Sequence, residues 1–177
     1  MTISKIKVAL GMSGGVDSSV AAYLLKESGY EVKGIFMKNW EEDDSDGCSS
    51  KEDYDDAKRV CNHIGIELNL VNFSDKYWTN VFETFINELK KGFTPNPDVF
   101  CNKEIKFKQY YDYAMSQNFD FIATGHYARK ENITVPELHI PKDVIKDQTY
   151  FLYMMKQDVL RNTLFPLEKL DKGEVKI

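Results

Sequence analysis

The sequence predicts a doubly wound α/β fold, with a mostly parallel sheet and helices on both faces. Two observations carry this. Four short apolar or alternating runs are separated by segments with apolar residues at helical spacing, and strands that alternate with helices pair in parallel through crossovers. The first run also opens into a glycine-rich turn, the place where such folds form their ligand crevice. At 177 residues the chain suits a single domain, 1–177, with a core of its own.

Residues 6–10 form the first strand. Val20, Ala21, Leu24 and Leu25 share one face of the helix that follows, and Gly29 supplies its C-terminal stop. Residues 32–37 read as the second strand. Ser50 with Asp53 resembles a capping box, and Tyr54, Ala57, Cys61 and Ile64 follow at helical spacing up to Gly65. The alternating run 66–73 is the third strand. Trp78, Val81, Phe82, Phe85, Ile86 and Leu89 line an amphipathic helix that ends near Gly92. A Pro-Asn-Pro loop leads to a helix over about 102–117, and 119–124 is the fourth strand. Beyond Arg129 the pattern is less regular: 133–145, with two prolines and weak alternation, is loop or edge strand, and 149–162 reads as helix.

Composition narrows the function classes. Apolar residues at 42% and charged residues at 29% fit an ordinary soluble globular protein. No apolar run approaches the ~20 residues of a membrane helix, and MTISKIKVAL lacks a signal-peptide pattern, so a cytoplasmic location is expected. Cys48, Cys61 and Cys101 are too widely spaced for a disulfide framework or a CxxC pair, and His63 and His139 lack partners for zinc. The net charge of −5 seems to exclude nucleic acid, but residues 41–56 alone carry −8, which leaves +3 elsewhere. Residues 90–108 hold five lysines against Asp98 and Glu104. Both runs read equally as solvated faces or as an acidic insertion beside a phosphate-binding surface.

The turn Gly11-Met12-Ser13-Gly14-Gly15-Val16-Asp17-Ser18-Ser19 lies between the first strand and the first helix. Glycines there allow a tight bend that points backbone N–H groups at an anion. The helix start adds positive potential, and Ser13, Ser18 and Ser19 add hydroxyl donors. The string lacks the GK[ST] of a P-loop and the GxGxxG of a dinucleotide fold. Met37, at the end of the second strand, and Gly125-His126, after the fourth, should converge with this turn beyond the carboxyl ends of the strands. Met37 reads as an adenine contact or as core, and Gly125 would permit close backbone approach. His126 suits a positional role at a strand end.

In the segment Thr94-Pro95-Asn96-Pro97-Asp98-Val99-Phe100-Cys101-Asn102-Lys103-Glu104-Ile105-Lys106-Phe107, two prolines restrict the loop that presents Asn96 and Asp98. Cys101 falls at or just before a predicted helix start, which would lower its thiol pKa with help from Lys103 and Lys106 and opposition from Asp98. The same residues also read as a buried cysteine opening an amphipathic helix.

The string SGGVDSS resembles the pyrophosphate loop of the N-type ATP pyrophosphatases. Together with FMKNW, TPNPDxxCNKEIKF, ATGHYAR and KDQTYFL, in order from residue 6 to 152, the chain resembles the tRNA-specific 2-thiouridylases. That resemblance implies a PP-loop fold and ATP cleaved between its α and β phosphates. It implies ATP contacts from Gly11, Met12, Ser13, Gly14, Gly15, Val16, Asp17, Ser18, Met37 and Gly125, with Mg2+ carried by ATP and Asp17 holding it or orienting the loop. Cys101 would be catalytic and Asp98 an acid–base group. Asn96, Pro97 and Asp98, with Lys146, Asp147 and Gln148, would approach the target uridine in the tRNA anticodon loop. Sulfur would arrive as a persulfide from a cysteine desulfurase or a sulfur-relay protein. The family's second, persulfide-bearing cysteine and two smaller C-terminal domains belong beyond position 177, so 133–177 should lead toward a central domain. The run 131–145 departs from the glycine-containing strand pair usual there. The alternatives are an ATP- or tRNA-binding fragment without sulfur transfer, and a PP-loop synthetase acting on another substrate. The absence of CxxC argues against the iron–sulfur-dependent thiolases that share the loop.

Overall fold

The computed structural model describes residues 5–40, 49–132 and 134–176. Residues 41–48, with Cys48, lie outside them, as does Ile133; Ser50, expected to cap the second helix, stands inside it, because that helix already begins at Ser49.

Among the described residues, five parallel strands stand in the order β3-β2-β1-β4-β7. They are β1 (Lys7–Met12), β2 (Glu31–Lys38), β3 (Glu67–Asn72), β4 (Phe121–Ala123) and β7 (Thr163–Leu164). β1 is central: Val8 to Met12 register with Val32 to Phe36 on one side, and Val8 to Leu10 with Phe121 to Ala123 on the other. The chain runs β1-β2-β3 outward, then returns to lay β4 against the opposite edge of β1. The direction of winding therefore reverses between β1 and β4, which is where doubly wound sheets open a crevice.

Alternation along β1 divides the interior. Val8, Leu10 and Met12 face α1 (Val16–Glu27) and α2 (Ser49–Ile64), whereas Ala9 faces a second core with Ile35, Ile105, Tyr110 and Ile122. Gly34 in β2 lets α2 approach: a Cβ there would stand 2.9 Å from Leu68 and 3.1 Å from the Cys61 sulfur. Cys61 is thus a buried packing residue, and burial pushes its thiol up to about 11.

The second face is covered by two helical stretches, each widened by a π turn. α3 (Ser74–Tyr77) runs through Trp78–Phe82 into α4 (Glu83–Lys90). α5 (Pro97–Cys101) runs through Asn102–Gln109 into α6 (Tyr110–Ser116), with non-helical backbone at Phe107. Tyr110, fully buried, donates its hydroxyl to the Ala9 carbonyl at 2.7 Å and so ties this stretch to β1.

Three expectations are corrected here. The fourth helical stretch starts at Pro97, five residues before the predicted position, because the Asn96 side chain caps it and accepts from the N–H groups of Asp98 (2.9 Å) and Val99 (3.4 Å). The run 133–145 does supply the expected edge strand, β6 (Pro136–His139), with proline at its start, where a missing N–H is tolerated; the correction is its partner, β5 (Arg129–Asn132), which pairs with it as an antiparallel hairpin. Residues 149–162 break into a 3-10 turn (Thr149–Leu152) and α7 (Gln157–Arg161). Tyr150, Phe151 and Tyr153 are weak helix formers, and Leu152 is drawn into the core. The short β7 and α8 (Lys172–Val175), with its Asp171/Glu174 capping box, were not foreseen.

Candidate functional site

The turn after β1 packs tightly enough to explain its glycines. Gly14 holds a φ of +80°, and a Cβ there would lie 2.4 Å from the Asp53 carbonyl oxygen on α2. Gly15 caps α1 through its backbone. The hydroxyls of Ser18 and Ser19 both donate to the Gly15 carbonyl at 2.9 Å, and Ser13 N–H donates to the Ser18 hydroxyl at 3.2 Å. The Ser13 hydroxyl also accepts from Gly15 N–H at 3.4 Å and lies 3.2 Å from that of Ser18, so all three predicted hydroxyl donors are engaged in holding the loop. Val16 is exposed at the rim.

This loop forms one wall of a cleft at the β1/β4 reversal. Gly11, Met12, Ser13, Asp17 and Ser18 line it from the first turn, Met37 from the end of β2, and Thr124, Gly125 and His126 from the segment after β4. The three strand ends converge as the sequence predicts. Gly125 is packed so closely that a Cβ would meet Ser18 N at 2.9 Å. Met37 packs against the second core and also lines the cleft, its methyl 3.1 Å from the position of a Cβ on Gly11.

Asp17 is the carboxylate of this cleft. Its Oδ1 accepts from the Tyr127 hydroxyl at 3.0 Å and pairs with Lys172 of α8, whose ammonium also stands 5.8 Å from the centre of the Tyr127 ring. Neither partner was foreseen: Lys172 is 155 positions away, and nothing in its own neighbourhood marks it. Oδ2 makes no hydrogen bond among the described residues, so Asp17 can hold a cation through that oxygen while Oδ1 keeps the loop in place.

A second cleft adjoins the first. Asp98, Cys101, Asn102 and Phe151 line it, and it shares Lys106, His126 and Gln148 with the first cleft. The shared wall is well braced. His126 Nδ1 is 2.9 Å from the Thr124 hydroxyl, and its ring lies 5.9 Å from that of Phe107. Gln148 accepts from Tyr127 N–H at 2.9 Å and returns its own N–H to the Tyr127 carbonyl at 3.0 Å. Burial, with the Lys106 ammonium nearby, holds the His126 imidazole well below its ordinary pKa, so it is a neutral ring.

Cys101 needs a correction. It stands in the second turn of a helix that begins at Pro97, so the helix start does not activate it. Burial raises its thiol pKa; Lys106 works against that rise and Asp98 adds to it. Lys103, expected to help, pairs with Glu104 at 3.1 Å. Asn102 Nδ2 donates to the Phe151 carbonyl at 3.2 Å and joins α5 to the 3-10 turn. Of the other predicted contacts, Gln148 reaches both clefts, but Lys146 and Asp147 line neither. Lys146 is exposed, and Asp147 accepts from Thr149 N–H (2.9 Å) and hydroxyl (2.7 Å) to start the 3-10 turn.

Fold and cleft together define a nucleotide-binding α/β protein of the PP-loop class. Comparison makes this specific. A family model described as "tRNA methyl transferase HUP domain" matches residues 6–177. The chain is 56% identical over 177 residues to tRNA-specific 2-thiouridylase MnmA 1 of Geobacillus kaustophilus, covering 98% of this chain and 48% of the relative. It is 54% identical to the MnmA of Lactobacillus johnsonii, again over 98% of this chain and 47% of the relative. The chain belongs to the tRNA-specific 2-thiouridylase family. It spans about half the length of the curated relatives it matches. Among solved structures, the U34-tRNA thiolase NcsA from Methanococcus maripaludis with its [4Fe-4S] cluster aligns with a TM-score of 0.62 and 26% identity, over 97% of this chain and 54% of that one. A predicted tRNA methyltransferase subunit from Methanocaldococcus jannaschii, at 17% identity and a TM-score of 0.55, shares the fold.

Proposed function

We propose that this chain is the adenylating part of an enzyme that uses ATP to replace O2 of a tRNA uridine with sulfur. The observation that carries the reading is the wall shared between a phosphate-loop cleft and a thiol cleft, which sets an activated base within reach of Cys101.

ATP lies with its pyrophosphate on the backbone N–H groups of Gly11 to Ser18 and its adenine near Met37 and Gly125. Magnesium arriving with ATP would neutralise phosphate charge, and Asp17 would hold it on the protein side. The anticodon loop of tRNA presents an unpaired uridine past Asn96, Pro97 and Asp98 on one side and the 146–148 segment on the other; exposed Tyr150 and Tyr153 offer faces for stacking bases. Uridine O2 bonds to the α-phosphorus as the bond to the β-phosphate breaks, and pyrophosphate leaves with the electron pair. The outer sulfur of a persulfide, supplied by a cysteine desulfurase or relay protein, then bonds to C2 while AMP departs with the oxygen. Cys101 loses its proton to Asp98 and attacks the inner persulfide sulfur. The transferred sulfur stays on C2, and a disulfide remains for a thiol reductant to open. Such an enzyme works in the cytoplasm, where tRNA and reductant are found.

Methyl transfer, named in the family description, gives Cys101 and the phosphate loop no shared task; the thiolase names of the relatives do. The [4Fe-4S] cluster of the archaeal thiolase finds no counterpart here among the described residues, because Cys61 and Cys101 lie in opposite cores. A PP-loop synthetase acting on a small acid is separated by one experiment: incubation with unmodified tRNA, ATP, magnesium and a sulfide source. The proposal expects AMP, pyrophosphate and 2-thiouridine together. AMP without 2-thiouridine, or pyrophosphate release indifferent to tRNA, refutes it.

A further inference from the structure

The wall between the two clefts carries one unpaired cation. Lys106 lines both clefts and is half-buried, yet makes no ion pair or hydrogen bond among the described residues. Its neighbours behave differently, since Lys103 and Lys108 both pair with Glu104, at 3.1 and 2.7 Å. A half-buried ammonium without a counter-charge is unfavourable, so its retention points to an anion that arrives with the ligand. The other two residues of the wall cannot meet that anion equally: His126 is neutral, and Gln148 has committed its side-chain oxygen to Tyr127 N–H. Lys106 also acts electrostatically on both Cys101, in the thiol cleft, and His126, in the shared wall. The π turn that carries it departs from helical backbone one residue later, at Phe107, and such turns recur at functional sites.

We propose that Lys106 holds the α-phosphate oxygens of the nucleotide through both half-reactions and thereby suspends the adenylated base over Cys101. This rests on the thiolation reading above. Negative charge gathers on those oxygens as pyrophosphate leaves and persists as AMP departs, and a fixed ammonium meets it at both stages. Lys106 gains and loses no proton. The same charge favours the Cys101 thiolate, so one side chain serves activation and sulfur release.

Two measurements on the full-length protein test this. With ATP, magnesium and unmodified tRNA, K106Q should release AMP about 100-fold more slowly than wild type, and K106R should recover part of that loss. Without nucleotide, the pH midpoint for alkylation of Cys101 by iodoacetamide should rise by about one unit in K106Q and stay near wild type in K106R. AMP release by K106Q close to the wild-type rate overturns the proposal, as does an unmoved alkylation midpoint. If K106Q fails to fold, K106R decides: unmoved alkylation with AMP release partly kept supports the charge role, and complete loss of AMP release overturns it. A wild type that forms no AMP with tRNA sinks the thiolation reading itself, an outcome distinct from a failure confined to the variants.

Discussion

Gly125 leaves no room for a methyl group, since a Cβ would press on Ser18 N at 2.9 Å and on the Asp17 carbonyl carbon at 3.0 Å. Both neighbours are backbone and cannot swing aside, so Gly125→Ala must shift the phosphate loop. It should lower stability by about 1–3 kcal/mol and weaken ATP binding at least about tenfold, a loss that nucleotide titration by calorimetry reads directly. Ionisation makes a second prediction at this scale. His126 is held neutral, so below pH about 6.5 the unfolded chain takes up a proton that the folded chain refuses, and stability falls with pH. Cys101 and Cys61 are held as thiols, so above pH ~8.5 the unfolded chain loses protons that the folded chain keeps, and stability falls as pH rises. Denaturant midpoints should show a plateau between these limits, and His126→Gln should flatten its acid side. Cys101→Ser should leave nucleotide binding intact and abolish persulfide-dependent thiolation, read as 2-thiouridine by mass spectrometry of digested tRNA.

At the scale of elements, α5 decides where the thiol stands. Asn96 was expected to approach substrate, and its side chain is also the cap that starts the helix. Asn96→Ala should cost about 1 kcal/mol of stability, whereas Asn96→Asp keeps the cap. If thiolation falls equally in both, the residue reads substrate; if only the alanine variant loses it, capping is the function. The Asn-Pro start of this helix was legible in the sequence, because an N-cap Asn followed by Pro at the first helical position is a known signature. The parallel sheet, the first turn and the meeting of Met37 with Gly125 were legible for a different reason: each depends on short-range pattern plus one topological rule. β7, with two residues, has too little pattern to read, and the pairing of Asp17 with Lys172 depends on packing that no local signal encodes.

The whole molecule concentrates its chemistry at the carboxyl ends of the central strands, where winding reverses between β1 and β4 and two clefts meet. Its charge is divided along the sequence, with a net −8 over residues 41–56 and a net +3 over 90–108, the run that supplies Lys106 to the thiol cleft. If that face grips tRNA phosphates, the dissociation constant should rise steeply with salt, with a logarithmic slope near +0.7 per neutralised phosphate; a flat salt profile in filter binding would count against an RNA face there. No helix among the described residues is long and apolar enough to cross a membrane.

The reach of Lys172 back to Asp17 has one more implication. The segment around Val144 and Ile145, 71% and 91% exposed, is the obvious place for a protease to cut. Everything after it returns to what comes before: Thr163 and Leu164 pair with β4, Lys130 binds the carbonyls of Arg161 and Thr163, and Lys172 meets the first turn. A nicked chain should therefore stay together on a sizing column and still take up nucleotide, behaving as two pieces of one clasp.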